Sequence, residues 1–276
     1  LARRGLLRPG DTALHAASRV GCAESMPGLL AHGAAVNAAN GSGETPLFLA
    51  SEEGHRDTSR LLLEHVATVD AARDDGKTPI YIAAEKGHND VVKSLLAHGA
   101  TVDAARDDGA TPLYIAAQKG HSDIVRSLLA HGAAVDAACD EGCTPVYTAA
   151  ENGHNDILTS LQAHGATVNA ARDDGATPLY IAAEKGHNDV VKSLLAHRAS
   201  VNAACDDGCT PIYTAAQNGH SDIVRSLLAH GAAVDAACDD GTTPIFIATE
   251  NGHTDIVTSL LAHGATVLRP LKAPRR

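Results

Sequence analysis

Residues 109–141 read GATPLYIAAQKGHSDIVRSLLAHGAAVDAACDE, and this stretch decides the fold. The Thr111 hydroxyl suits the N-cap of a helix, and Pro112 suits the first helical position, where its missing N–H costs nothing. The residues at 113–117 are mostly small or apolar, and Gln118 and Lys119 lead to Gly120, a residue type that commonly ends a helix. The first half of the stretch therefore predicts one short helix.

The second half predicts another helix, starting at Ser122 and Asp123, which supply a side-chain acceptor and a negative charge at the positive helix end. Its apolar residues recur at helical spacing and form one stripe: Ile124, Val125, Leu128 and Leu129. An isolated helix needs roughly 12 to 15 residues to be even marginally stable in water. Each pair of helices must therefore bury its apolar stripe against a neighbouring pair.

The same pattern recurs every 33 residues without insertion. The threonines that mark it, seven of them followed by proline, are Thr12, Thr45, Thr78, Thr111, Thr144, Thr177, Thr210 and Thr243. The spacing predicts eight units, at residues 10–42, 43–75, 76–108, 109–141, 142–174, 175–207, 208–240 and 241–268. Residues 1–9 are then an N-terminal flank and residues 269–276 a basic C-terminal tail.

The repeated unit resembles the ankyrin repeat. The residues that carry the resemblance are Gly109–Ala117, Gly120–His121, Leu128–Ala133 and Val135–Ala137, and the match runs in register over residues 10–268. The resemblance implies an all-α fold, an α-solenoid of helix-turn-helix repeats with projecting hairpin loops. It also implies protein binding by the hairpin tips and the inner helices, and a chain that is not itself an enzyme.

The aromatic residues depart from the family pattern. The family usually has His after Thr-Pro-Leu, and here only His15 of the first unit fits. The other units have all of the chain's aromatic residues at this position: Phe48, Tyr81, Tyr114, Tyr147, Tyr180, Tyr213 and Phe246. We interpret them as a packing ladder between stacked helices, in preference to a binding stripe.

Three further departures predict local irregularity. Val66 and Arg198 replace the glycine that follows the second helix in other units. If that position needs a left-handed backbone, a β-branched Val is strained there by roughly 1–2 kcal/mol, and we expect a weak joint. In the first unit, Met26-Pro27-Gly28 is expected to interrupt the second helix, as suits an atypical end repeat.

A longer period is superimposed on the 33-residue repeat. Residues 120–140 are identical to residues 219–239, and residues 85–98 are identical to residues 184–197. Both offsets correspond to three units, so units six to eight look like a copy of units three to five. A surface displayed by one trio is therefore expected a second time in the other.

Composition and charge exclude several classes of function. The net charge of -11 at pH 7 argues against nucleic acid, because phosphate binding needs a surplus of Lys and Arg. No apolar run approaches the roughly 20 residues that span a bilayer. Six cysteines in a chain of 276 residues do not make a disulfide framework, which favours a reducing compartment, the cytoplasm or the nucleus. With no initial Met and no polar cap on unit eight, we expect a monomeric array within a longer polypeptide.

No metal, cofactor or catalytic site is predicted. Two rows of histidines recur once per unit, which places equivalent rings farther apart than the ~4 Å between ligands of one zinc ion, and we expect the row after Gly to bond the backbone. Cys139/Cys143 and Cys205/Cys209 have Cys-x3-Cys spacing, but Cys238 alone does not complete a second pair. No phosphate-binding loop or nucleophile motif is present.

Two sets of residues are predicted to bind a partner protein. The hairpins carry twelve carboxylates suited to a basic segment: Asp74, Asp75, Asp107, Asp108, Asp140, Glu141, Asp173, Asp174, Asp206, Asp207, Asp239 and Asp240. Turn propensity is the alternative explanation, and it accounts for the second acid of each pair better than for both. The resemblance places a second, variable set on the concave face: Glu85, Lys86, Gln118, Lys119, Glu151, Asn152, Glu184, Lys185, Gln217 and Asn218.

The leading functional prediction is a protein–protein interaction scaffold. The alternative is the targeting or substrate-recruiting arm of a larger enzyme, such as a kinase or a ubiquitin ligase, with its catalytic domain outside this chain. A third hypothesis makes the repeats a substrate, because Asn37, Asn169 and Asn202 match the family position that asparaginyl hydroxylases modify.

Overall fold

The computed structural model describes residues 8–267, and in that range the protein is all-α, without strands. The helices are α1 Ala13–Val20, α2 Met26–Ala31, α3 Pro46–Glu52, α4 Arg56–Glu64, α5 Pro79–Lys86, α6 Asn89–Ala97, α7 Pro112–Lys119, α8 Ser122–Ala130, α9 Pro145–Glu151, α10 Asn155–Ala163, α11 Pro178–Lys185, α12 Asn188–Ala196, α13 Pro211–Gln217, α14 Ser221–Ala229, α15 Pro244–Glu250 and α16 Thr254–Ala262. The predicted basic tail, residues 269–276, and residues 1–7 of the predicted flank lie outside the described residues.

The first helix of each unit, here called the inner helix, begins as predicted. In α7 the Thr111 side chain accepts a hydrogen bond from the backbone N–H of Tyr114, and Pro112 occupies the first turn. Gly120 ends the helix with a φ of 80°, in the left-handed region that glycine adopts without strain. The same Thr-Pro start recurs in every inner helix from α3 to α15, although Thr210 makes no capping hydrogen bond.

The second, outer helix begins at the predicted residue, but without a side-chain cap. In α8 the N-cap is His121, which makes no capping hydrogen bond with its side chain, and Ser122 is already the first helical residue. Asp123 does lie in the first turn, where its charge favours the positive helix end. The predicted start of the helix at Ser122 is therefore confirmed, although the residue at the N-cap position is His121.

The outer helix of the first unit is shortened, not interrupted. A single 3-10 turn at Ala23–Ser25 precedes α2, and Pro27 lies in the first turn of α2, where proline is tolerated. Helix α2 has six residues, whereas the other outer helices have nine. The predicted break at Met26-Pro27-Gly28 is thus a late start of the helix.

Contacts divide the chain into two compact parts, Leu1–Asp140 and Glu141–Arg276. In the first part the inner helices α1, α3, α5 and α7 pack in series, and each contacts its own outer helix. In the second part α9, α11, α13 and α15 do the same. Apolar residues of the outer helices are fully buried as well, among them Leu128 of α8 and Leu227 of α14 at equivalent positions, so the helix pairs are stacked as predicted.

Backbone strain occurs where the sequence predicts it. Val66 and Arg198 both have a φ of 64°, and they are the non-glycine residues of the described chain with a positive φ. The Val66 side chain is also 81% exposed, so it gains little from packing to offset the strain. The backbone is therefore left-handed at both positions, which is the condition set for strain at Val66, and the weak joint after the second unit stays a prediction.

Candidate protein-interaction surface

The hairpin tips are five-residue turns at residues 73–77, 106–110, 139–143, 172–176, 205–209 and 238–242. In the tip 172–176, the N–H of Arg172 donates to the carbonyl of Ala176 at 2.9 Å. The fourth residue, Gly175, has a φ of 77°, and a Cβ there would come within 2.8 Å of Asp206 Oδ1 in the next tip. Glycine adopts this left-handed φ without strain, and its missing Cβ leaves room for the Asp206 side chain. Successive tips therefore lie close together at this position.

Neighbouring tips are joined by a backbone hydrogen bond from the first acid of one tip to the second acid of the preceding tip. In the second part of the chain, the N–H of Asp206 donates to the carbonyl of Asp174 at 2.9 Å, and Asp239 donates to Asp207 at 2.9 Å. In the first part, Asp140 donates to Asp108 in the same way. The bonds fix the spacing of successive acid pairs within each part.

The two acids of each tip have different roles. The side chains of the first acids are exposed: Asp74, Asp107, Asp140, Asp173, Asp206 and Asp239. Several second acids turn back onto their own tip, and Asp174 Oδ1 accepts from the N–H of Ala176 at 3.0 Å. Turn formation therefore accounts for the second acids at Asp75, Asp108, Asp174 and Asp240, and leaves the first acids facing solvent.

Three tips begin with arginine, and we call them Arg tips: 73–77, 106–110 and 172–176. In the last of them, Arg172 Nε donates to Asp174 Oδ1 at 3.0 Å, and a second guanidinium N–H bonds the other carboxylate oxygen. The guanidinium carbon lies 5.6 Å from the centre of the Tyr147 ring. Equivalent contacts join Arg73 to Phe48 at 5.4 Å and Arg106 to Tyr81 at 5.9 Å, a distance range typical of cation–π interaction.

Charge pairing in the Arg tips lowers the pKa of the second acid. The hydrogen bond from Arg73 is the main reason that the pKa of Asp75 falls from 3.8 to about 2, and burial opposes the change. The Arg172 guanidinium likewise lowers the pKa of Asp174. These carboxylates are therefore ionised across the physiological range and already paired within the chain.

Three tips begin with cysteine instead, and we call them Cys tips: 139–143, 205–209 and 238–242. In the second part of the chain, Cys209 and Cys238 form a disulfide, which the sequence analysis did not predict. Cys209 is the fifth residue of its tip, and Cys238 is the first residue of the next tip, 29 positions later. Cys209 therefore pairs with Cys238 of the next tip and not with Cys205, its partner in the Cys-x3-Cys spacing. In the first part of the chain, Glu44 and Arg73 are also 29 positions apart, and they form an ion pair at 3.7 Å.

Burial of the aromatic residues follows the type of tip. Phe48, Tyr81 and Tyr147, which lie under arginines, are at most 1% exposed. Tyr114, Tyr180 and Tyr213 precede a cysteine by the same 25 positions and are only partly buried, and Phe246 is 38% exposed. The packing interpretation therefore holds for the first three, whereas the other aromatic residues reach the surface.

The histidines that precede the outer helices bond backbone carbonyls of the preceding unit. His187 Nε2–H donates to the carbonyl of Glu151 at 3.0 Å, and His220 donates to that of Glu184 at 3.0 Å. The acceptor belongs to the preceding unit, so the ring links the ends of adjacent inner helices. The prediction that this row bonds the backbone is confirmed for His55, His88, His121, His187, His220 and His253.

Comparison with protein-family models identifies the repeat. A model described as ankyrin repeats, in three copies, matches residues 3–73, 67–139, 132–205 and 199–270. The chain belongs to the ankyrin repeat family. Ankyrin repeats are a non-catalytic domain type that generally mediates protein–protein interaction. A search of curated proteins finds no significant match to this chain.

The described residues contain neither a helix that could span a membrane nor a cluster of metal ligands. Between residues 8 and 267, every helix is too short or too polar to cross a membrane. In the same range no three His, Cys, Asp or Glu side chains come together as ligands of one metal ion would.

The inner-helix residues predicted to bind a partner lie at the C-terminal ends of the ankyrin inner helices. The second residue of each pair is exposed in every case: Lys86, Lys119, Asn152, Lys185 and Asn218. The first residues are half-buried except for the exposed Gln217: Glu85, Gln118, Glu151 and Glu184. Glu85 accepts a hydrogen bond at 2.9 Å from Lys77, the last residue of the tip 73–77. This bond connects the inner-helix ends to the hairpin tips.

The asparagines at the family's hydroxylation position each support the next ankyrin unit. The side-chain oxygen of Asn169 accepts a hydrogen bond from the N–H of Ser200 at 2.8 Å, and Asn202 accepts from Ala233 at 2.8 Å. Asn37 accepts from Thr68 at 2.8 Å. All three asparagines are exposed, and their hydroxylation stays a prediction.

Proposed function

We propose that this chain is a protein-interaction module whose hairpin tips and adjoining inner-helix ends bind a basic segment of a partner protein. One observation carries the proposal: the first acid of every tip is exposed, whereas turn formation and arginine pairing engage several of the second acids. Exposed carboxylates held at a regular spacing attract and orient a cationic chain.

The charge balance of the tips supports this choice of partner. The Cys tip 205–209 carries two carboxylates and no cationic residue, and the Arg tip 172–176 retains one negative charge after Arg172 is counted. The whole chain has a net charge of -11. A basic segment would therefore be steered towards the tips over roughly one Debye length, about 8 Å at physiological ionic strength.

The inner-helix ends supply the second half of the proposed surface. Their exposed residues differ among units, with Lys185 in one and Asn218 in the next, while the surrounding Gly and His stay the same. Variation on a constant framework is what a surface needs to recognise one partner among many. We assign these ends to specificity and the tips to electrostatic attraction.

Affinity capture with a charge-matched pair of variants tests the proposal. The tip variant carries Asp173→Asn, Asp206→Asn and Asp239→Asn, all at exposed first acids. The control carries Asp189→Asn, Asp222→Asn and Asp255→Asn, exposed in the first turns of outer helices. Both lose three negative charges, so a difference between them reports the position of the charges.

Partners captured by the wild-type chain should be lost by the tip variant and kept by the control, and capture should weaken as salt rises. Equal capture by both variants, or capture insensitive to salt, would contradict the proposal. The predicted compartment, cytoplasm or nucleus, is tested by the oxidation state of Cys209 and Cys238 in the native protein, because a reducing compartment keeps them as thiols.

A further inference from the structure

The disulfide between Cys209 and Cys238 encloses the helix pair of the seventh unit. The two cysteines are 29 positions apart, and the residues between them include all of α13 and α14. Cys209 ends the tip 205–209, and Cys238 begins the tip 238–242. The bond therefore joins the two tips on either side of this helix pair, and it closes the whole pair into one covalent loop.

The inner helix of the seventh unit lacks a contact that the other inner helices have. Thr210 makes no capping hydrogen bond, whereas the threonine before every other inner helix of the described chain does. The Thr210 hydroxyl is also buried, and within the described residues it has no hydrogen-bond partner. A missing N-cap and a buried polar group without a partner both weaken a helix.

The fourth unit is a natural comparison for the seventh. Residues 120–140 are identical to residues 219–239, so the outer helices α8 and α14 have the same sequence. The inner helices differ. Helix α7 has eight residues, is capped by Thr111, and ends at Gly120 in the left-handed conformation. Helix α13 has seven residues and no side-chain cap, and Asn218 stands at its end.

The fourth unit, with the better inner helix, has no disulfide around it. Ala110 and Cys139 occupy the positions that Cys209 and Cys238 have in the seventh unit, and alanine has no sulfur to pair. Closing a loop of 29 residues lowers the population of opened forms by on the order of a hundredfold. A missing cap raises that population only about fivefold. The disulfide therefore outweighs the defect of the helix that it encloses.

The disulfide is open to attack from one side. A surface cavity of about 300 Å³ has both cysteines in its lining. Cys209 is half-buried, whereas Cys238 is only 7% exposed. A thiolate that enters the cavity therefore reaches Cys209 Sγ more easily, and Cys238 is then the leaving group.

We propose that Cys209 and Cys238 form a reversible redox site, which holds the seventh unit closed when oxidised and lets it open locally when a dithiol reductant acts on it. One thiolate of the reductant attacks Cys209 Sγ, which breaks the disulfide and releases Cys238 as a thiolate. The second thiolate of the reductant then displaces Cys209. The reductant leaves as a disulfide, and its two electrons and two protons stay with the two cysteines. Exchange with a small disulfide oxidant reverses both steps.

The redox site also regulates the docking surface, and this consequence rests on the proposed function. The exposed first acids Asp206 and Asp239 belong to the two tips that the disulfide joins. The exposed inner-helix residues Gln217 and Asn218 end α13 and follow it. Local opening of the seventh unit releases these residues from their fixed positions, so reduction weakens partner binding.

Amide hydrogen exchange of the whole chain tests the redox site, because it measures local opening. The oxidised chain is compared by mass spectrometry with the chain reduced by dithiothreitol. The peptides followed run from the inner helix into the outer helix. Those of the fourth and seventh units differ in mass, since Ile115 and Lys119 are replaced by Thr214 and Asn218. The fourth unit thus serves as an internal control.

We expect reduction to make the amides of α13 and α14 exchange about tenfold faster or more, and to leave α7 and α8 unchanged. Reoxidation with glutathione disulfide should restore the slow exchange. Equal exchange of α13 and α14 in the two redox states would overturn the proposal. So would an equal acceleration of α7 and α8, because the effect would then not depend on the enclosed loop.

A matched pair of variants assigns the effect to the two cysteines. Cys209→Ser with Cys238→Ser should show the fast exchange without any reductant. The control, Cys139→Ser with Cys205→Ser, removes two cysteines that are not in a disulfide, and it should keep α13 and α14 slow until dithiothreitol is added. Fast exchange in the control before reduction, or slow exchange in the first variant, would overturn the assignment.

The exchange and capture experiments can fail separately. Capture is repeated with the oxidised and the reduced chain, and the reduced chain should capture less. If exchange responds to reduction while capture does not, the redox site stands and its effect on docking is wrong. If capture depends on the first acids while exchange ignores reduction, the redox site is wrong and the interaction module stands.

Discussion

The tips 172–176 and 238–242 have the same backbone and different surfaces. In each, the first N–H donates to the fifth carbonyl, at 2.9 Å from Arg172 and at 3.0 Å from Cys238, and the glycine has a φ near 78°. Yet Tyr147 under Arg172 is 1% exposed, whereas Tyr213 beside Cys238 is partly exposed. A single residue at the start of the tip decides whether the preceding aromatic ring belongs to the core or to the surface.

The comparison separates the scaffold of the repeat from its variable part. Glycine and the second acid build the turn, and the Thr-Pro start and the carbonyl-bonding histidine build the helix pair. None of these depends on the first residue of the tip, which is free to be arginine or cysteine. In an Arg tip the guanidinium bonds the second acid and covers the preceding ring, whereas the cysteine of a Cys tip has no charged group that could do either.

Removing the two rings should give the largest difference between the tips. Tyr147→Ala deletes a fully buried side chain, so we expect a loss of about 3–5 kcal/mol in the free energy of unfolding. Tyr213→Ala deletes a partly exposed ring and should cost about 1–2 kcal/mol. Urea unfolding measures both. Equal losses would mean that Tyr213 is buried as deeply as Tyr147, and the contrast between the tips would fail.

Removing the arginine should have a smaller effect. Arg172→Ala loses a bidentate ion pair, a ring contact and the packing of the stem, and we expect a cost of about 1–2 kcal/mol. The control is Arg225→Ala, because Arg225 bonds Asp222 on an exposed helix surface and contacts no ring of the described residues. Such a pair contributes about 0.5 kcal/mol or less. The same cost for both variants would show that ring stacking adds nothing.

The helix pairs could be predicted from the sequence because their signals lie within one unit. Thr111, Pro112 and Gly120 mark the ends of α7, and the structure places that helix at Pro112–Lys119. The start of the outer helix at Ser122 was predicted as well, but its N-cap was not. Its cap is His121, whose ring bonds the backbone of the preceding unit, and a pattern read within one unit does not contain that partner.

The acid pairs of the tips were identified from the sequence, but the stacking of the tip arginines on aromatic rings and the disulfide were not. Their partners lie in different tips or helices, at offsets of 25 and 29 residues. A signal did exist. Arginine follows Phe48, Tyr81 and Tyr147 by 25 positions, and cysteine follows the other tyrosines at the same distance. The residue 25 positions after each of these aromatic residues, arginine or cysteine, therefore indicates whether the ring is buried.

The third prediction concerns the acid of an Arg tip. Replacing Arg73 with Ala should raise the pKa of Asp75 from about 2 towards its ordinary 3.8, because the largest cause of the shift is the hydrogen bond from Arg73. Since the folded pKa is the lower one, the pair stabilises the fold above about pH 4, and this contribution is lost as the pH falls towards 2. Carboxyl ¹³C titration of the wild type and the variant measures the change. A pKa that stays near 2 without Arg73 would assign the shift to the turn backbone instead.

The smallest expected effect compares two tyrosine hydroxyls. Among the described residues the Tyr147 hydroxyl has no hydrogen-bond partner, whereas the Tyr180 hydroxyl bonds the side chains of Cys205 and Thr214. Tyr147→Phe removes a buried unsatisfied group and should stabilise the chain by up to about 1 kcal/mol, while Tyr180→Phe should cost about 0.5–1.5 kcal/mol.

Thermal unfolding of the two Phe variants decides this last point, since each loses one oxygen and nothing else. Opposite signs of the change in midpoint would show that a ring under arginine is a purely apolar packing element, and that a ring beside cysteine has a polar end in use. If both variants lose stability equally, the hydroxyl of Tyr147 has a bonding role, and the contrast between Arg tips and Cys tips would extend no further than ring burial.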